Sequence, residues 1–227
     1  IGVATNKTLD PTAKNYQWQD QGIVLQSVPE RDHWNAIDPA IIRDERGDHW
    51  MSFGSFWEGL KLVKLDASLT RVAEPQQWHS IAKRPRNPAL PDGEPGDGAI
   101  EAPYIFHKNG YYYLFVSFDK CCRGKDSDYK IMVGRSKSLT GPYVDKTGKA
   151  MLQGGGSLVL QGDKDWVALG HNAAYSFDGK DYLVFHAYET ADKALQKLKV
   201  LPMQWQDGWP VVEQQALNQY RTTLQSK

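Results

Sequence analysis

The stretch IDPAIIRDERGDHWMSFGSF, residues 37–56, decides the reading of this chain. It puts a carboxylate, Asp38, directly before a proline at the head of a short apolar strand, turns at Gly47, and returns through an aromatic strand. A charge where the pattern asks for burial is unusual, and repetition gives it meaning. The pattern recurs as IEAPYIFHKNGYYYLFVSF at 100–118 and as GHNAAYSFDGKDYLVFHAY at 170–188. Each copy has a polar residue (Asp38, Glu101, His171), a short strand, a turn at Gly47, Gly110 or Gly179, and then an aromatic strand. The polar residues are 63 and 70 positions apart, and self-similarity at such a period marks a repeat architecture.

The second half of the unit repeats as well. LVKLDASLTRV (62–72) and MVGRSKSLTGP (132–142) share a strand followed by Ser-Leu-Thr, and GVATNKTLDP (2–11) is a third version. A closing segment follows at GIVLQS (22–27), HSIAKR (79–84) and AMLQGG (150–155). Short runs of β-formers broken by Gly, Asn and Asp turns, with no long helical period, read as strands. A four-stranded module repeated in this way predicts an all-β propeller rather than a sandwich, which has no reason to repeat a whole module. The chain then reads as one domain, 1–227. Residues 1–27 form the outer half of a blade, three blades cover 35–84, 101–155 and 168–211, and 212–227 is a C-terminal tail. Three and a half blades leave sheet edges that proteins normally cover. The expectation is therefore that an N-terminal blade and a half lies outside the chain, supplied by a complementary fragment or replaced by a second copy.

Composition narrows the function. Lys plus Arg and Asp plus Glu both number 27, so the chain lacks the basic footprint of a nucleic-acid binder. No apolar run approaches the roughly 18 residues of a membrane helix. The two cysteines, Cys121 and Cys122, are adjacent and cannot bridge distant segments. A disulfide between them that shapes the loop FDKCCRG (118–124) and a pair of free thiols both remain open. The Pro-, Gly- and Asp-rich stretch at 84–98 reads as a long surface loop near a pocket mouth, and WQDGWPVVEQQ (205–215) as an outer hairpin.

Taken together, NAIDP, SFGSFW, AIEAPYI, FVSFDKCCRG and LGHNAAY resemble the endo-α-1,5-arabinanases of glycoside hydrolase family 43, over nearly the whole chain. The resemblance implies a five-bladed β-propeller with its active site at one end of the axis, and an inverting reaction run by three carboxylates. By that resemblance Glu101 is the general acid and Asp38 the carboxylate that tunes it and orients substrate, with the general base on a first blade not present in this chain. It also implies arabinan or arabino-oligosaccharide as substrate and a secreted or periplasmic location. An exo-acting arabinofuranosidase or β-xylosidase, or a non-catalytic carbohydrate-binding propeller, are the competing readings.

The residues themselves support a paired-carboxylate chemistry. The first strand of a blade lines the axis, so Asp38 and Glu101 should face one pocket. Glycoside hydrolysis needs one carboxyl protonated, and a neighbouring anion raises the acid's pKa from its ordinary value of about 4.3. Asn35, Ala36, Ile37 and Asp38 at the strand head, with Ser55, Phe56 and Trp57 after the second strand, are the expected substrate contacts. Ser55 and Asn35 can bond hydroxyls, and Phe56 and Trp57 can stack on a furanose. His171 takes the third axial place and, with the resemblance, is expected to hold a mostly hydrated calcium ion on the axis. Calcium ordinarily prefers oxygen, which makes an imidazole ligand unusual.

Overall fold

The computed structural model describes residues 1–91, 93, 94 and 96–219. The chain is all-β, with curled antiparallel sheets arranged as part of a β-propeller. The first sheet has two strands, β1 (Gly2–Thr5) and β2 (Gln19–Ile23). The second is β3 (Ala40–Arg43), β4 (His49–Phe53), β5 (Leu60–Lys64) and β6 (Trp78–Ala82). The third is β7 (Ile100–Lys108), β8 (Tyr111–Phe118), β9 (Lys130–Ser136) and β10 (Ser157–Leu160). The fourth is β11 (Trp166–Phe177), β12 (Lys180–Glu189), β13 (Leu195–Gln206) and β14 (Trp209–Val211). A single turn of helix, α1 (Ala216–Gln219), follows in the tail, and the remainder of the predicted tail, 220–227, lies outside the described residues.

One strand differs from its expected place. The segment 150–155 does not close the third sheet; Met151–Gln153 makes a short 3-10 turn, and the closing strand is β10, beyond the glycine run 154–156. Ala150 still bridges to Val144, so the apolar AML segment is used for packing, with Met151 only 1% exposed, rather than for the ladder. Likewise the outer strand of the first sheet is 19–23, a little before the segment 22–27.

The aromatic second strand has a simple cause. In a strand successive side chains point to opposite faces, and a sheet stacked between two others buries both. In β8, Tyr112, Leu114 and Val116 pack with Leu60, Leu62 and Ile81 of the preceding sheet. Tyr113 and Phe115 pack with Leu183, Phe185 and Leu201 of the following one. The run YYYLFVSF is thus apolar on both sides because it has a neighbour on both sides. A serine repeats the inter-sheet connection: Ser52 Oγ donates to the Pro103 carbonyl (3.1 Å), and Ser117 Oγ accepts from the His171 amide (2.9 Å).

Not every face is covered by the described residues. On the fourth sheet Tyr175, Phe177, Leu198 and Val200 are exposed, and register pairs Val200 with Val184 and Leu198 with His186 on that side. Such an apolar sheet face marks a surface meant for another layer. No helix among the described residues is long and apolar enough to cross a membrane.

Asp181, on β12, ties the third and fourth sheets together and offers a test of the packing. Its carboxylate accepts from Ser176 Oγ (2.5 Å), Trp205 Nε1 (2.7 Å) and Lys108 Nζ (2.8 Å) with 4% of its side chain exposed. Burial pushes its pKa up, but Lys108, Ser176 and Trp205 outweigh this and hold it below 3.8. A depressed carboxylate stabilises the fold above its unfolded pKa, and that contribution disappears as pH falls through the folded value. Asp181→Ala should lower stability by about 1–3 kcal/mol at neutral pH, the cost of leaving buried donors unpaired. In denaturant unfolding the deficit should shrink toward pH 3; a deficit independent of pH would assign it to lost packing instead.

Candidate active site

The three polar residues of the repeated pattern come together, Asp38 and Glu101 at the heads of β3 and β7 and His171 at the register break within β11. Two of them have left-handed backbone, Asp38 (φ 55°) and His171 (φ 50°); in the middle copy the left-handed residue is Ala102 (φ 53°), next to Glu101. Aspartate accepts that conformation more readily than most residues. At Ala102 and His171 the backbone is held there by its surroundings. Asp38 Oδ2 accepts the Ala102 amide at 3.2 Å, while the His171 amide donates to Ser117 Oγ. The ladders around the site are broken at the same places, with register shifts between Glu101 and Tyr104 and between Gly170 and Ala173. Bulges re-aim side chains in this way next to functional sites.

Asp38 and Glu101 belong to one electrostatic unit. Burial raises the pKa of Asp38, while the His171 imidazole, whose Nε2 is 3.9 Å from Asp38 Oδ1, and the Ala102 amide oppose the rise. Burial also raises Glu101; a hydrogen bond from Tyr129 opposes it, the Asp38 charge adds to it, and His171 opposes it. The balance leaves both groups raised, Glu101 above its ordinary 4.5 and Asp38 above its ordinary 3.8, with the imidazole ring and the amide donor on the Asp38 side. Two neighbouring carboxyls that both resist ionisation can hold one proton between them.

The expected contacts are distributed around this pair. Ser55 forms an isolated bridge with Glu101 and is 4% exposed. Its hydroxyl is taken by Asn35, whose Nδ2 donates to Ser55 Oγ at 2.8 Å and to the Ser55 carbonyl at 3.2 Å. Asn35 and Ser55 thus hold each other, and Asn35 keeps its side-chain oxygen for other partners. The Ala36 amide donates to Ser27 Oγ, and the Ile37 carbonyl accepts the Gly54 amide, which pins the strand head to β4. Phe56 and Trp57 both have left-handed backbone, and the Phe56 amide donates to the Ile100 carbonyl. Trp57 and Asn35 line a cleft of about 890 Å³ with Trp34, Glu58, Lys83 and Arg86. The carboxyl pair is not part of its wall. Trp34 also packs edge-on against Phe53 at 5.7 Å, so most of its ring serves the core. The 84–98 loop borders this cleft through Pro85, Arg86, Pro88 and Gly93.

Four participants were not singled out in the sequence. Tyr129 Oη donates to Glu101 Oε1 at 2.6 Å. Ser117 receives the His171 amide, and His186 stacks on Tyr129 with ring centroids 5.8 Å apart. Gly170 lets the Tyr129 ring in: a Cβ there would lie 2.0 Å from its Cε1. A glycine inside a strand pattern signals such close approach, and the Gly of LGHN was the one available clue. Cys121 and Cys122 are bonded to each other, and Cys121 packs beside Tyr129, Ala168 and Tyr188.

His171 presents its imidazole with 52% of the side chain exposed. Among the described residues no group of three or more His, Cys, Asp or Glu converges on a common point. An ion held there would have one imidazole and otherwise water for ligands.

Comparison with known proteins gives this geometry its family. Residues 1–210 match the profile of Glycosyl hydrolases family 43. The chain is 61% identical over 221 residues to the extracellular exo-α-(1→5)-L-arabinofuranosidase ArbA of Cellvibrio japonicus, covering 97% of this chain and 64% of the relative. It is 43% identical over 210 residues to the extracellular endo-α-(1→5)-L-arabinanase 1 of Bacillus subtilis, covering 92% of this chain and 59% of the relative. The chain thus spans less than two thirds of the length of either relative. The solved structure of Cellvibrio cellulosa α-L-arabinanase superposes with a TM-score of 0.93 at 60% identity, over 96% of this chain and 70% of that one, and it is also known complexed with arabinohexaose. With its repeated blades and its matched residues, the chain belongs to glycosyl hydrolase family 43.

Proposed function

We propose that this chain carries the acid half of an α-1,5-arabinan hydrolase that works with inversion. The observation that supports it most is the half-buried Glu101, raised in pKa by burial, with the Asp38 carboxylate among the groups that raise it. In this reading protonated Glu101 gives its proton to the glycosidic oxygen as the bond to the anomeric carbon breaks. A base removes a proton from water as that water attacks the opposite face of the sugar. Inverting enzymes keep their acid and base roughly 6.5–9.5 Å apart to admit the water. Asp38 keeps the acid's pKa up and orients the sugar, and transfers no proton. Asn35, through its side-chain oxygen, with Ala36, Ile37, Phe56 and Trp57, forms the adjoining binding surface, and Ser55 holds Asn35.

By the family resemblance, the base is assigned to a segment outside residues 1–227. The exposed apolar face of the fourth sheet is the seat proposed for the missing blade, whether that blade comes from a complementary fragment or from a second copy. Secretion accords with relatives that are named extracellular. Internal cleavage is the mode implied by the sequence motifs; exo action is a second reading, favoured by the 61% identity to an exo-acting relative. Product lengths early in the digestion of linear arabinan separate the two. A hydrated calcium ion on His171 is proposed as a structural element only, and no step passes through it.

Two outcomes test these assignments. In the protein with all its carboxylates, Glu101→Ala should lower turnover of arabinan by at least about 100-fold, the scale of general acid catalysis. A substrate with a good leaving group should be partly spared, whereas equal loss on both would make Glu101 structural. For His171, a chelator should lower the melting temperature and added calcium restore it by mass action. His171→Ala should melt lower and ignore the chelator; a chelator response that survives the substitution places the ion elsewhere.

A further inference from the structure

A carboxylic acid that donates a proton must carry it on the oxygen that faces the bond to be broken. Glu101 has two oxygens, and one is already occupied: Oε1 accepts the Tyr129 hydroxyl at 2.6 Å. Tyr129 is held firmly. It is 1% exposed, and its ring lies against the Gly170 backbone, where a Cβ would stand 2.0 Å from Cε1. Its other support is a column of rings. His186 stacks on Tyr129 at 5.8 Å with 9° between planes, and Tyr188 stacks on His186 at 5.4 Å. The column ends on the cysteine pair, where the Tyr188 hydroxyl lies 3.8 Å from Cys122 Sγ. Elements from the third and fourth sheets thus converge to hold one hydroxyl against one carboxyl oxygen.

Resting on the reading of Glu101 as the acid, we propose that Tyr129 is its positioning residue. By claiming Oε1 it leaves Oε2 to carry the proton, and it fixes the rotamer from which that proton is delivered. Burial, then the Glu101 charge, pushes the tyrosine's own pKa up, so it remains a donor throughout. As the proton leaves Oε2, negative charge grows on the carboxylate and the Tyr129 hydrogen bond becomes charge-assisted, roughly doubling in strength. The donor thus contributes most where charge develops, which is the requirement for helping the reaction rather than merely the ground state.

The remaining groups around Glu101 set the sign of the test. Asp38, at the head of β3, raises its pKa, and His171, on β11, lowers it. His186, on β12 behind the tyrosine, is held below its ordinary pKa by burial and then by His171, and stays neutral. A donor to the ionised form lowers a carboxyl pKa, so removing the Tyr129 hydroxyl leaves burial and Asp38 opposed by His171 alone.

The experiment is Tyr129→Phe, which keeps the ring in its place. Isotope-edited titration of the Glu101 carboxyl should show its midpoint moving to higher pH. Incorporating 3-fluorotyrosine at position 129, a stronger donor of nearly the same shape, should move it to lower pH and serves if the phenylalanine variant does not fold. In the active protein, Tyr129→Phe should lower kcat on arabino-oligosaccharides by about 10- to 100-fold, the scale of misplacing a catalytic group. KM should change little, an aryl glycoside with a good leaving group should lose less, and the basic limb of the pH–rate profile should rise. In a Glu101→Gln background the same change should have no further effect. An unmoved carboxyl midpoint, or equal loss on both substrates with an unmoved limb, overturns the proposal. A moved midpoint in the full protein, with its base-bearing segment present but no arabinan turnover, upholds the Tyr129–Glu101 coupling while rejecting the hydrolase reading.

Discussion

The site depends on one backbone constraint, the left-handed residue at the heads of β3 and β7 and at the break within β11. An extended strand would send alternate side chains into the flanking sheets, and a carboxylate placed there would be desolvated without a use. Left-handed φ at Asp38, Ala102 and His171 breaks that alternation and brings the polar groups together. Conformations of this kind cost about 1–3 kcal/mol each for ordinary residues and survive only where surrounding structure compels them. Here it does: the Ala102 amide is tied to Asp38, the His171 amide to Ser117, and the Ile37 carbonyl to Gly54. Two of these hydrogen bonds, Ala102 to Asp38 and His171 to Ser117, also join one sheet to the next, so the site and the sheet packing stabilise each other.

From this follows the electrostatic character of the pair. Two partly buried carboxyls of similar exposure would share a proton ambiguously. The distinction comes from their neighbours, since Asp38 has an imidazole within 3.9 Å and a backbone donor, while Glu101 has Asp38 beside it. In the proposed reading these unlike neighbours give the two groups different roles, the arrangement by which enzymes run acid chemistry near neutral pH with carboxylates.

Much of the architecture was legible because its causes are local. Glycine turns at 47, 110 and 179, alternating apolar positions and a recurring polar strand head announce themselves in a single pass. Strand β10 was harder: AML is apolar enough to pass for a strand, whereas SLVL follows three glycines that obscure its start. Tyr129 and Ser117 stayed hidden for a different reason. Tyr129 meets Glu101 across 28 residues and Ser117 meets His171 across 54, and nothing in their own neighbourhood distinguishes them from other buried polar residues. By position Ser55 reads as a sugar contact; its contact with Asn35, twenty residues away, was not legible there. The cysteine pair was open on sequence and is bonded, with Cys121 packed beside Tyr129 and Cys122 exposed.

The account turns on which axial carboxyl holds the proton. Neutron diffraction from deuterated crystals of the protein with its full set of carboxylates and bound arabino-oligosaccharide, grown near pH 6.5, reads this directly. The prediction is deuterium on Glu101 Oε2, a Tyr129 hydroxyl deuterium aimed at Oε1, and no deuterium on either oxygen of Asp38. Deuterium on Asp38 with a bare Glu101 would contradict the assignment of acid and tuner on which the rest is built.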